Sequence, residues 1–262
     1  MLMPDLTPFA APDRAAVLQA LRQQLAQPLS GGVERPVLPF GLPALDGKLP
    51  QGGLAGDALH EIVPQGRPAL PAAFAFLMVL MGRAASVENA APLVLVLSAP
   101  VTAGLLPYGH GLAGLGLDPA RLMLVRAGDD QDVLWALEEA LRVGAPAAVA
   151  GLAGQGLDLK ASRRLQLAAA GAGRPLFLLR PEAALAASAA ATRWRVRAAP
   201  GPRDRFGLLT AWRWQLTLER CRNGQTGEWI LEFDHGTHRF GLAAALAGAT
   251  LPDGAKAPAR VA

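Results

Sequence analysis

The chain has one cysteine, Cys221, so no internal disulfide can staple it. Aromatic side chains make up only 5% of it, with a single tyrosine, so the core must come mainly from Ala, Leu and Val. No uninterrupted apolar run reaches the roughly 20 residues of a bilayer span. The longest, residues 69–82, is interrupted by Pro71. The first residues, Met1 to Arg14, lack a basic start followed by an apolar block, so no secretory leader is expected. The lone thiol and the missing leader fit a reducing cytoplasm, and no membrane partner is expected.

What is present is a long, apolar chain. It has 262 residues and is 52% hydrophobic, which supports a sizeable core in one large domain or two small ones. Residues 13–27 carry Val17, Leu18, Leu21 and Leu25 at helical spacing, ahead of a Pro-rich linker. Apolar strands then alternate with helices. Strands are expected at Leu59–Val63, Pro92–Leu97, Leu122–Val125, Ala147–Ala150 and Pro175–Leu179. Helices are expected at 69–85, 105–116, 130–143 and 159–170, the third opened by Asp129 or Asp130 and closed by Gly144. On that helix Glu138 and Glu139 are assigned to the outer face. Strands that are apolar without alternation are buried on both faces, which implies a mostly parallel sheet.

The last third differs. Residues 211–220 and 228–234 alternate with period two around Asn223-Gly224, the pattern of a β-hairpin. The fold class expected is α/β: a mostly parallel sheet flanked by helices, with a C-terminal antiparallel hairpin and an N-terminal helix. The boundaries expected are an N-terminal helix and linker at 1–35, a main domain at 36–245, and a loose Ala/Pro/Gly-rich tail at 246–262.

Charge is unevenly spread. Between Lys160 and Arg222 stand thirteen Lys/Arg against three acids, Glu182, Asp204 and Glu219. Such a stretch can attract nucleic acid or an acidic protein, or form an ordinary solvated face. Arg193, Arg195, Arg197, Arg213, Arg220 and Arg222 are its candidate partner or DNA contacts. Trp194, Trp212, Trp214 and Trp229 lie among them, and arginine beside aromatics can form a single-strand DNA platform. Period two puts Trp212 and Trp214 on one face and Arg213 on the other, which favours core packing for the tryptophans.

Three sharper motifs fail on context. Gly109-His110-Gly111-Leu112-Ala113-Gly114 matches G-x-G-x-x-G, but the expected strand ends about a dozen residues too early for a dinucleotide turn. His235 and His238, beside Asp234, need a third ligand and a fixed geometry to hold a metal, and they follow an expected strand in a turn. Ser98 is followed by Pro100, with no nucleophile elbow. No catalytic residue, cofactor or metal is assigned.

The order of the pieces resembles the RecA family. Gly41-Leu42-Pro43-Ala44-Leu45-Asp46, then Gly52-Gly53-Leu54-Ala55-Gly56, then the strand Leu59–Val63 resemble the start of its nucleotide-binding core. Residues Leu115 to Leu122 and the helix after them resemble the middle. In an active member the first strand leads into a phosphate loop, whose backbone N–H groups, Lys and Ser/Thr hold phosphates and Mg²⁺. Here that position carries Pro64, Gly66 and Arg67, with Leu70 in place of the lysine and Pro71 in place of the hydroxyl. Pro64, Pro68 and Pro71 have no N–H to donate. The catalytic glutamate falls near Ser98-Ala99-Pro100, and the magnesium-directing aspartate falls at Gly151. The resemblance therefore implies a RecA-like fold with a dead site, although Arg67 leaves weak phosphate binding open.

The whole chain resembles the ImuA family through this degenerate loop, the Trp135–Leu141 helix and the 218–229 hairpin. That resemblance implies a non-enzymatic accessory role in damage-inducible, error-prone translesion synthesis. The implied partners are an ImuB-type pseudo-polymerase and an error-prone polymerase. RecA, a second copy of the chain, and weak DNA binding remain open as further contacts. Leu18, Leu21 and Leu25 either dock on such a partner or pack on their own core. The alternative is a SulA-like inhibitor of cell division, whose family also keeps a degenerate RecA-like core.

Overall fold

The computed structural model describes residues 36–87, 91–99, 106–154, 157–180 and 187–243. The expected N-terminal helix and tail lie outside them. Eleven strands are described: β1 Val37–Leu38, β2 Leu54–Ala55, β3 Leu59–Pro64, β4 Leu93–Ser98, β5 Leu122–Ala127, β6 Ala148–Leu152, β7 Leu176–Leu179, β8 Thr192–Ala199, β9 Trp212–Cys221, β10 Gly227–Asp234 and β11 Arg239–Leu242. The α-helices are α1 Pro43–Asp46, α2 Leu70–Val87, α3 Gly109–Gly114, α4 Asp130–Val143 and α5 Leu159–Ala172.

Nine strands form one sheet in the order β11-β10-β9-β8-β3-β7-β6-β4-β5. The six from β8 to β5 run parallel, and β9, β10 and β11 add antiparallel. The expected mixed α/β architecture is thus present. β3, β4, β6 and β7 are buried along their whole length, which explains why their sequences do not alternate. β8, with alternate residues Thr192, Trp194 and Val196 buried, was missed as a strand, although TRWRVRAA has period two.

Each face has its own core. On one face α2 packs with Ile62, Leu95, Phe177, Trp194, Trp214 and Phe233. On the other, α4 and α5 cover Leu59, Val96, Val149 and Leu178. Among the described residues α2 alone is long and apolar enough to cross a membrane, but two thirds of that window is buried. It is apolar all round because it sits between the sheet and the turns over it.

Local signals set the helix ends. Asp129 Oδ1 accepts from Asp132 N–H at 2.9 Å to open α4, and Gly144 closes it in the left-handed conformation. Asp158 opens α5 in the same way. Glu138 does not stand on the outer face of α4; it turns toward α5 and pairs with Arg164 at 2.5 Å. The helix expected over 105–116 is described only as α3, one and a half turns long, because its glycines lower helix stability.

Two polar groups are fixed inside β3. His60 Nε2–H donates to the Ala55 carbonyl at 2.8 Å, while its Nδ1 meets Thr192 Oγ1 at 2.8 Å. Trp194 Nε1–H donates to the same hydroxyl at 2.9 Å. Burial favours the neutral imidazole and lowers its pKa to about 4. On the other face Glu61 is buried between Arg180 and Arg193.

Candidate functional site

In an open α/β sheet, ligands bind beyond the carboxyl ends of the parallel strands. Here the first segment to reach that edge is the turn after β3. It is short: β3 runs to Pro64, a 3-10 turn spans Arg67–Ala69, and α2 begins at Leu70. Gln65 N–H is taken by the Val196 carbonyl of β8 at 2.8 Å, and Gly66 N–H turns back to Pro64 O at 3.0 Å. Ala69 N–H is used by Gly66 O, and Pro68 and Pro71 have none. A phosphate cradle needs several free N–H groups converging on one point. In this turn Pro64, Pro68 and Pro71 have none, and those of Gln65, Gly66 and Ala69 are bonded elsewhere. Arg67 is exposed, and Gly66 keeps a positive φ of 81° that suits glycine.

The other two positions are equally unsuited. Ser98 ends β4 fully buried, followed by Ala99, so no carboxylate reaches the edge there. Gly151 lies within β6 under α4, where a Cβ would stand 2.8 Å from Leu137 Cδ1 and 3.3 Å from Leu178 Cδ1. Glycine there lets α4 pack close to the sheet, and an aspartate has no room.

The six arginines singled out from the sequence do not form one free patch. Arg193 Nε donates to Glu61 Oε2 at 2.7 Å and Arg195 Nε to Glu219 Oε1 at 2.5 Å. Arg197 holds Gln215, and Arg213 Nε donates to Glu232 Oε2 at 2.7 Å. Arg220 and Arg222 bond the carbonyls of Ser188 and Ala189. The first four sit on one face of the β8–β9 pair, opposite the buried Trp194 and Trp214. Three of them are neutralised by carboxylates, which reduces what the face can offer a phosphate. Leu18, Leu21 and Leu25 lie outside the described residues.

The tryptophans divide. Trp194 and Trp214 are core, and Trp214 Nε1–H also donates to Ala72 O of α2 at 3.0 Å. Trp212 is partly exposed at the sheet's end, and Trp135 stands in solvent on the side of α4 opposite Val133, Leu137 and Leu141. His235 and His238 are not part of a metal cluster; among the described residues no group of three or more His, Cys, Asp or Glu could hold an ion.

One cavity is marked by no sequence pattern. It has a volume of about 440 Å³ and lies between the first half of α2, the 106–115 segment and the β8–β9 connection. Ala72, Ala75 and Met78 form its floor, and Trp214, Leu112 and Tyr108 line its sides. Beside it the 201–209 loop holds Phe206, Leu208 and Leu209 exposed. The signal was faint: Phe206-Gly207-Leu208-Leu209 is apolar but has no period, in a stretch otherwise made of turn residues.

This chain has two close relatives of the same name. Protein ImuA from each of two strains of Caulobacter vibrioides is 40% identical to it over 232 residues, covering 81% of this chain and 91% of the relative. No family model matches the chain. At that identity over that much of both proteins, the chain belongs to the ImuA family.

Proposed function

We propose that the chain is a non-catalytic, RecA-like component of a DNA-damage-inducible mutagenesis complex, acting through a pseudo-polymerase partner and an error-prone polymerase. Kinship with Protein ImuA supports the setting. The observation that carries the non-catalytic half is the turn after β3, where the Gln65 N–H is bonded to Val196 O and the prolines have no donor. A protein with no nucleotide cradle, and with Ser98 and Gly151 where the two RecA-family acids would stand, has its surfaces left to work with. The paired arginines of β8 and β9 support protein contacts over direct DNA binding as its main mode.

The test is made in cells. A strain lacking the chain is expected to lose most ultraviolet-induced mutations, and to regain them with the native chain. The native chain is expected to co-purify with the neighbouring pseudo-polymerase at mild salt. Unchanged mutation frequency in the deletion strain would overturn the setting. ATP hydrolysis by the purified native chain would overturn the non-catalytic reading. Filamentation on overexpression, with binding to the division tubulin, would favour the division-inhibitor alternative.

A further inference from the structure

We infer that the cavity between α2, the 106–115 segment and the β8–β9 connection seats a short acidic peptide of a partner protein. The peptide inserts one or two apolar side chains and sets its carboxylates against Arg67, Arg203 and Arg205. The inference deepens the partner-binding reading above by naming a place and a chemistry.

The cavity follows from the sequence. Small residues form much of its wall: Ala72 and Ala75 on α2, Ala198 and Ala199 at the end of β8, and Gly201 beyond. They leave about 440 Å³ open where larger side chains would fill it, enough for one or two side chains the size of Leu or Phe. The interior offers almost nothing polar. An occupant must bring apolar surface, worth roughly 25 cal/mol per Å² buried.

The loop at its mouth is held by its own bonds. Asp204 Oδ1 accepts from Phe206 N–H at 2.8 Å and from Leu208 N–H at 2.9 Å. Arg203 Nη1 donates to Gly207 O at 2.5 Å, and Thr210 N–H to Pro202 O at 3.0 Å. Gly207 takes φ +81°, which closes the turn. On this frame Phe206 is 73% exposed, and Tyr108 across the mouth is 72% exposed. Exposed aromatics on a fixed backbone lose little freedom on binding and are the side chains that dominate interfaces.

Charge selects the occupant. Arg67, Arg203 and Arg205 are exposed, and no ion pair among the described residues involves any of them. This contrasts with Arg193, Arg195 and Arg213. The Arg205 guanidinium lies 4.7 Å over the Phe206 ring, beside the exposed aromatic. The turn bearing Arg67 is tied to β8 at Val196, two residues before Ala198 of the cavity wall, through the Gln65 N–H. The rim sets three arginines against one carboxylate, Asp204, and an apolar hole with a net cationic rim complements a peptide with an apolar centre and acidic flanks. The hole has no groups for base edges, so it favours an apolar side chain over a specifically read base.

The test uses the purified full-length chain and random 12-residue peptides displayed on phage. The expected result is enrichment of peptides with one or two Leu, Ile, Phe or Trp residues beside at least two acids. Synthetic copies are expected to lose tenfold or more in affinity, by fluorescence anisotropy, for Ala75→Trp and for the Arg67→Glu, Arg205→Glu double variant. Phe206→Ser, at an exposed loop position, is expected to weaken binding while leaving the thermal melt unchanged, which guards against Ala75→Trp failing to fold. Peptides without acids, or peptides that bind all variants equally, would overturn the inference. So would a labelled dT oligonucleotide whose affinity falls in these variants while no peptide is enriched. Peptide binding is measured without DNA damage, so its failure is separable from a failure of the cellular role.

Discussion

Arg193 Nε lies 2.7 Å from Glu61 Oε2, and that carboxylate is wholly buried between Arg193 and Arg180. Two arginines of the basic stretch, Arg180 and Arg193, are therefore structural counter-ions rather than surface contacts. Removing the shared acid leaves two guanidinium groups in a poorly solvated site. Glu61→Leu is expected to cost about 3–5 kcal/mol, read as a lower urea midpoint. Adding Arg180→Met should recover a large part of that loss, because the stranded charge goes with it. Equal destabilisation in both variants would show that the triad does not act as a unit.

Gly151→Ala is expected to destabilise the chain by about 1–3 kcal/mol, because the new Cβ would stand 2.8 Å from Leu137 Cδ1. Gly151→Asp should be worse, since it adds an unpaired charge at the same buried point. Trimming Leu137 to Ala in the Gly151→Ala background should cost less than trimming it in the native chain. Thermal melts of the four proteins check this, and strict additivity would count against the close packing.

The pH dependence of stability should carry the mark of His60. Its pKa in the folded chain is lowered from 6.5 to about 4 by burial, so the unfolded chain takes up a proton first as pH falls. The stabilisation is complete above pH 6.5 and is lost between 6.5 and about 4. The loss should total about 3 kcal/mol. Denaturant titrations from pH 7 to 4 are expected to show this slope, and His60→Gln should flatten it whatever its own stability.

The carboxylates opposite the β8–β9 arginines should mask their charge. Glu219 holds Arg195 at 2.5 Å and Glu232 holds Arg213 at 2.6 Å. Changing both acids to Gln is expected to strengthen binding of a labelled oligonucleotide and to steepen its salt dependence by about one unit for each arginine released onto phosphate. Anisotropy titrations between low and moderate salt measure the slope. An unchanged slope would mean that these guanidinium groups remain turned away from the strand.

Isothermal titration with Mg-ATP is expected to give no heat above dilution. Putting Lys at position 70 and Thr at position 71 should not create affinity by itself. The Gln65 N–H remains bonded to Val196 O, and Pro68 still lacks a donor. Measurable binding by the native chain would contradict the closed turn.

The sequence alone settled the elements whose signal is local. Asp129 and Gly144 mark the ends of α4, and the unbroken apolar runs of β3, β4, β6 and β7 mark a sheet covered on both faces. The hairpin of β9 and β10 was legible from alternation around Asn223-Gly224. So was the chemical poverty of residues 64–71, because proline lacks its donor in any fold.

Only the tertiary structure decided what the charged and small residues do. Glu61 is 119 residues from Arg180 and 132 from Arg193, and nothing local pairs them. Arg213 meets Glu232 because antiparallel register sets them directly opposite, and Arg195 reaches diagonally to Glu219, the residue skipped where the β8–β9 register shifts. Ala72, Ala198 and Gly201 read singly as ordinary small residues, and they become a cavity only when α2 and the end of β8 are brought together. Capping, alternation and a missing N–H act over a few residues and are written in order along the chain. Ion pairing and empty volume depend on distances between segments far apart in sequence, and folding alone sets those distances.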